Sequence, residues 1–166
     1  MQKDIDIIIY GATGFTGQLC VKYFKSLNTS VKWAIAGRDK EKLQQVAEDN
    51  SVDVEILIAD SDNEAELDVL TSRAKVILST TGPFHRYGSK LVASCIMNSS
   101  HYVDITGENF WVKGIIAKHH EEASAKGVRI IPSCGYDSIP SDLGVFYAAK
   151  ALNKPIKRIE SFHSWK

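Results

Sequence analysis

The chain has 166 residues, enough for one domain with a real core, and its 44% hydrophobic and 24% charged composition is that of a soluble globular protein. Lysine plus arginine and aspartate plus glutamate stand at 20 each, so a net charge of zero gives no electrostatic reason to expect nucleic acid or an anionic membrane surface as a partner. Three cysteines without a C-x-x-C spacing (Cys20, Cys95 and Cys134), no secretory signal and no apolar run of membrane-spanning length predict reduced thiols and a cytoplasmic location.

The first element is an apolar run, Ile7 to Tyr10, that ends in three glycines spaced three apart: Gly11-Ala12-Thr13-Gly14-Phe15-Thr16-Gly17. A helical pattern follows, with Phe15, Leu19, Tyr23, Phe24 and Leu27 on one face. Strand, Gly turn and helix together form the signature of a dinucleotide-binding loop. Gly11 allows a sharp turn, Gly14 lets a pyrophosphate approach the backbone, and Gly17 lets the helix pack closely. Free N–H groups at the helix start then face the anion, assisted by the helix dipole. An ordinary Gly-rich strand-to-helix turn is the competing reading, and the position early in the chain favours the functional one.

Further strands are predicted at Val31–Ala36, Val52–Ala59, Lys75–Leu78, His101–Ile105 and Val128–Ile131. Helices fall between them: one capped by Asp39, one through Leu67 and Leu70, one carrying Leu91, Val92, Cys95 and Ile96, and one from about Trp111 to Ala125. Pro132 to Ser141 reads as a loop, and a last helix carries Leu143, Val145, Phe146 and Ala149. Six strands alternating with helices predict a doubly wound parallel sheet of the α/β class, with ligands bound where the loops after the first and fourth strands meet. Lys154-Pro155 ends the last helix, and Ile156 to Trp165 alternates loosely like one more strand. The expected organisation is a dinucleotide-binding domain over 1–152 and, over 153–166, the first strand of a substrate domain otherwise missing.

Several residues are candidates for the site. The second strand ends in Ala36-Gly37-Arg38, where an NAD site would place a carboxylate on the ribose 2′-hydroxyl. A guanidinium there suits a 2′-phosphate, so NADP is expected over NAD, which is also possible; a solvated arginine is the alternative. Asp60 ends the third strand, placed either to accept from the adenine amino group or to cap the next helix. Ser79 to Phe84, with Thr80, Thr81, Gly82 and Pro83, ends the fourth strand and suits the nicotinamide half. No Tyr-Lys pair four residues apart, H-E-x-x-H or G-x-S-x-G occurs. His119 and His120, beside Glu121 and Glu122, read as a solvated helix face, and Cys134 as a buried or turn thiol.

Taken together, the segments Gly11–Gly17, Ala36-Gly37-Arg38, Thr81-Gly82-Pro83-Phe84, Tyr102-Val103-Asp104-Ile105-Thr106-Gly107-Glu108, His120–Ala123 and Ser133-Cys134-Gly135-Tyr136-Asp137-Ser138-Ile139-Pro140-Ser141-Asp142-Leu143-Gly144 resemble the saccharopine dehydrogenase-like oxidoreductases, including the trans-acting enoyl reductases. The resemblance implies an N-terminal Rossmann domain followed by a larger substrate domain, and nicotinamide-dependent redox chemistry. It does not carry over lysine metabolism. By family position Glu108 and Asp137 face the nicotinamide as candidate catalytic residues.

The expected function is NADPH-dependent hydride transfer to a small or lipid-like substrate, with this chain alone inactive. A non-enzymatic NADP sensor or scaffold is the other reading. The partners expected are a small-molecule substrate and further copies of the chain in a homo-oligomer, assembled through a free strand edge beside Phe162 and Trp165. No metal site is expected.

Overall fold

Alternation of β-branched strands with amphipathic helices builds a single six-stranded sheet, seen in a computed structural model that describes residues 3–152 and 154–162. In chain order the elements are β1 (Ile5–Tyr10), α1 (Phe15–Ser26), β2 (Trp33–Gly37), α2 (Lys40–Asp49), β3 (Glu55–Ile58), α3 (Glu64–Arg73), β4 (Ala74–Ser79), α4 (Phe84–Met97), β5 (His101–Asp104), α5 (Asn109–Ala125), β6 (Ile130–Ile131) and α6 (Ile139–Leu152). The strand order is β3-β2-β1-β4-β5-β6 and every pairing is parallel. This is the doubly wound Rossmann topology. Its order reverses between β1 and β4, so the loops leaving those two strands diverge and open a crevice at their carboxyl ends.

Two apolar layers hold the sheet. On one face Ile9 and Ile35 pack with Val21 of α1 and with Leu43 and Val46 of α2. On the other, Ile8, Ile77 and Tyr102 pack with Leu67 of α3, Leu91 of α4 and Trp111 of α5. Each fully buried aliphatic or aromatic side chain of this kind contributes about 1.5–3 kcal/mol relative to exposure. The helix starts are specified locally: Asp39 accepts from the Lys42 amide at 3.1 Å and Asn63 from the Glu66 amide at 3.3 Å. Asn63, and not Asp60, is therefore the cap of α3.

Three expectations are corrected. In α1 the face bearing Phe15, Leu19, Tyr23 and Leu27 is turned outward, and Gly17 and Val21 are the residues buried against the sheet. The helix sits so close to the loop that only a glycine fits beneath it, which tips the bulky residues to the outside. α6 begins inside the segment read as a loop, and none of its residues is buried; Leu143, Val145, Phe146 and Tyr147 are exposed. Residues 154–162 have no regular secondary structure, so the strand expected from Ile156 onward does not form there; Trp165 lies outside the described residues. The β3 and β6 strands are shorter than their apolar runs, at four and two residues.

The closeness of α1 generates a prediction. A Cβ on Gly17 would overlap the Gly11 carbonyl oxygen and stand 2.7 Å from Ala12 Cα, both rigid backbone atoms. Gly17→Ala is expected to destabilise the chain by about 1–3 kcal/mol despite alanine's higher helix propensity, as read by urea unfolding. An unchanged midpoint would show that α1 can move away at no cost.

Candidate functional site

The crevice is built by backbone first. Gly11 has φ +87° and its N–H donates to Ala36 O at 2.9 Å, which ties the turn after β1 to the end of β2. The loop after β4 is stitched to the same turn: Thr80 N donates to Tyr10 O at 2.9 Å, and Thr80 Oγ1 to Gly11 O at 3.1 Å. A side chain on Gly11 would run into Thr81 Oγ1 and stand 3.0 Å from Thr80 Oγ1. Position 11 thus needs glycine twice, for its left-handed backbone and for the approach of the β4 loop.

A cleft of about 410 Å³ opens between these loops, lined by Gly11, Thr13, Gly14, Gly37, Arg38, Ser61, Thr80, Thr81, Gly82, Pro83, Tyr10 and Tyr87. Eight of the predicted cofactor residues (Gly11, Thr13, Gly14, Arg38, Thr80, Thr81, Gly82 and Pro83) come together there. Ala12 is fully buried behind the loop, Phe15 points out at 83% exposure, and Thr16 and Gly17 lie in the first turn of α1 without lining the cleft. Asp60 also lies outside the lining, its carboxylate accepting from the Asp62 amide at 2.9 Å. Tyr10, Gly37, Ser61 and Tyr87 line the cleft without having been predicted as cofactor residues. Tyr10 is buried in the sheet with its hydroxyl donating to Ala59 O at 3.2 Å, and an apolar-strand position gives no signal of a cleft wall.

Three features of the cleft set the chemistry that fits it. Gly14, which lines the cleft, begins α1 with neither a side-chain cap nor an acidic residue in the first turn, so no side chain answers the first amides of the helix. A Cβ on Gly14 would meet only Gly11 O, at 3.4 Å, so the fold does not require this glycine and the space above it is left to a ligand. Arg38 is exposed at the other end, and no described residue forms a hydrogen bond or ion pair with its guanidinium. Between them Thr81 Oγ1 is buried with no hydrogen-bond partner among the described residues. Open amides, an unengaged cation and an orphaned hydroxyl fit a phosphorylated dinucleotide.

Residues 7–131 match the family described as the saccharopine dehydrogenase NADP binding domain. The chain belongs to this family. It is 39% identical, over 97% of its length, to a saccharopine dehydrogenase-like oxidoreductase of Mus musculus, and 40% identical, over 87%, to a trans-acting enoyl reductase of Mycobacterium leprae. It spans 41% and 35% of those two proteins. Among solved structures, the saccharopine dehydrogenase (L-Glu forming) of Saccharomyces cerevisiae superposes with a TM-score of 0.69 at 17% identity, covering 90% of this chain and 31% of the yeast chain, a likeness of fold. The chain is accordingly an NADP-binding domain of the saccharopine dehydrogenase-like oxidoreductases. No helix among the described residues is long and apolar enough to cross a membrane.

The two candidate catalytic carboxylates do not line the cleft. Asp137 is exposed in the turn before α6. Glu108 turns towards α4, its oxygens accepting from Phe84 N at 2.7 Å and His85 N at 2.9 Å. Burial raises the Glu108 pKa, but bonds from the His85 amide and imidazole and the Phe84 amide outweigh it and hold the group below its ordinary value. Cys134 is half-buried, and burial followed by the Asp104 charge pushes its thiol up, away from thiolate chemistry. His119 departs from the solvated face expected of it: it is 8% exposed, against a second cavity of about 450 Å³ between α5 and the β5–β6 edge, and burial lowers its pKa. That cavity lies under Trp111, Ile115 and Ile130 and shares no residue with the glycine cleft. No group of three metal-ligating side chains occurs among the described residues.

Asp104 is the buried carboxylate that sequence reasoning passed over. At 1% exposure it accepts from Tyr102 Oη at 2.8 Å, Thr106 N at 3.0 Å and Ser133 N at 2.9 Å, joining the loops after β5 and β6. Burial raises its pKa above the ordinary aspartate value, against the pull of those three donors. Asp104→Leu would keep the apolar bulk and remove the acceptors of Tyr102 Oη, Thr106 N and Ser133 N. The expected loss is about 1–3 kcal/mol of stability near neutral pH, measured by urea unfolding, for a buried donor left unanswered. A variant as stable as the parent would show that the loops hold themselves.

Proposed function

We propose that this domain binds NADPH for hydride transfer to a small or lipid-like substrate, the substrate wall being supplied by sequence beyond this domain. The observation that carries the reading is Arg38: an exposed guanidinium without an internal partner, at the end of β2, lining the same cleft as Gly14 at the uncapped start of α1. Gly14 and the first amides of α1 would hold the pyrophosphate, Arg38 the 2′-phosphate, and Thr80 to Pro83 the far half of the cofactor. When bound, NADPH supplies the hydride. The chain's own residues orient it and cover one side of it, and a productive site also requires a second wall that excludes water. The enoyl reductase among the relatives supports a reduction of this class, and its much greater length supports the second wall lying elsewhere. In this reading residues 1–152 form the dinucleotide-binding domain, 153–166 lead into a substrate domain, and the chain by itself does not turn over. The exposed apolar residues of α6 are then surface for that domain or for another subunit in the cytoplasm.

Calorimetric titration tests the cofactor assignment. NADPH is expected to bind more tightly than NADH, and Arg38→Ala to lose most of that preference. A charge-assisted bond contributes about 1.5–3 kcal/mol, a factor of roughly ten or more. Equal affinities in the parent would sink the assignment to Arg38.

Gly14→Val addresses the other end of the cleft. Its side chain enters space that no protein atom uses, so binding should vanish. Unfolding should move by only about 1 kcal/mol, the ordinary scale of a change at a helix N-cap. Parental affinity in that variant would place the nucleotide elsewhere.

A further inference from the structure

Two helices begin at the switch point, and their N-termini are treated differently. α1 is left open towards the cleft, with no side-chain cap. α4 is closed by a carboxylate from another loop: Phe84 N donates to Glu108 Oε1 at 2.7 Å and His85 N to Oε2 at 2.9 Å, with His85 Nδ1 2.6 Å from Oε2. Pro83, the N-cap of α4, has no side chain that could do this.

Glu108 is itself fixed along its backbone. Its N–H donates to Thr106 Oγ1 at 3.0 Å, and its carbonyl oxygen accepts from Trp111 N at 2.9 Å and Val112 N at 3.1 Å, starting α5. One residue therefore starts α5 with its backbone and caps the start of α4 with its side chain. The two helices are tightly apposed one turn further on, where Trp111 Nε1 donates to Ser89 Oγ at 2.9 Å and Trp111 Cζ2 leaves no room for a Cβ on Gly88. The short segment Thr80–Pro83, which lines the cleft, is then pinned at both ends: by Thr80 to the β1 turn and by Phe84 to Glu108.

We propose that Glu108 is a positioning residue: its ionised carboxylate clamps the start of α4 and so holds the Thr81–Pro83 wall in the shape that receives the half of the cofactor remote from Arg38. The role needs two acceptor oxygens and a negative charge, because two adjacent amides and the positive end of a helix dipole converge on it. It also leaves α1 as the open helix start for the cofactor's own anion, since α4 carries an internal one.

The inference rests on the NADP reading for its consequence, but its geometry is tested without ligand. In Glu108→Gln the amide offers one acceptor where two donors point. Hydrogen exchange at Phe84 and His85 is expected to accelerate roughly tenfold or more, while the Lys42 amide, capped independently by Asp39, keeps its rate. Unchanged exchange at Phe84 and His85 would overturn the clamp. The parent chain provides a check that needs no variant: in an NMR titration both amide resonances should move together, with one midpoint below 4.5, the ordinary value for glutamate. Independent movement, or none, would also overturn it.

Ligand titration then tests the consequence. NADPH should bind Glu108→Gln about tenfold more weakly, whereas adenosine 2′,5′-bisphosphate, which in this reading stops short of the Thr81–Pro83 wall, should bind as it does to the parent. Equal losses for both ligands would make Glu108 a general support of the fold and refute the positioning role. A parent that binds neither ligand would refute the cofactor reading, and the exchange rates would still decide the clamp.

Discussion

The site depends on the contact between the turn after β1 and the loop after β4, made at a residue with no side chain. At the switch point the two backbones leave neighbouring strands in opposite directions, yet here Thr80 donates to Tyr10 O and Gly11 O across the gap. That approach places Thr81 Oγ1 where a Cβ of residue 11 would be, and the left-handed φ at Gly11 sends the chain on towards Gly14. The protein's own packing demands glycine at 11 and 17, and leaves the space at Gly14 open to the cleft. Three glycines equally spaced in sequence thus have different physical reasons, which the space around each one separates.

The sheet was legible because its signals are local and mutually consistent. Ile7 to Tyr10, the glycines and a following helix predict strand, turn and helix in register, and Asp39 caps the helix that sequence reasoning gave it. The facing of α1 was not legible. A periodicity of bulky residues predicts which ones line up, but not whether that line faces in or out. At α1 a glycine under the helix decided against it. α6 shows the converse difficulty. It is rich in apolar residues and is found with none of them buried, because sequence hydrophobicity reports what a helix could bury and not whether a neighbour is present.

Within the site, charge explains which residues could be read in advance. Arg38 was singled out because a cation at the end of the second strand departs from what an NAD site requires, an argument made at one position. Glu108 and Asp104 lie four residues apart in one motif, and neither role could be separated by spacing. One carboxylate reaches across to α4 and the other turns inward to Tyr102, Thr106 and Ser133. The difference lies in long-range partners, Phe84 being 24 residues from Glu108 and Ser133 29 residues from Asp104. No local pattern encodes such distances.

A chain of zero net charge that binds a polyanion also has to concentrate its field. Total charge sets the encounter with extended polymers, which is why it argues against nucleic acid here. Inside a cleft the nearest few groups matter more, since screening in water weakens exposed charges beyond about 10 Å at 0.1 M salt. The groups lining this cleft are glycines, hydroxyls, a proline, two tyrosines and Arg38, with no carboxylate among them. Asp60 is outside the lining, Asp39 is spent on capping α2, and Glu108 is turned onto α4. Each nearby acid is either engaged elsewhere or kept out of the lining, so an anion in the cleft would meet the Arg38 guanidinium and no carboxylate in direct contact. The neutrality of the whole is thus compatible with a strongly anion-seeking cleft.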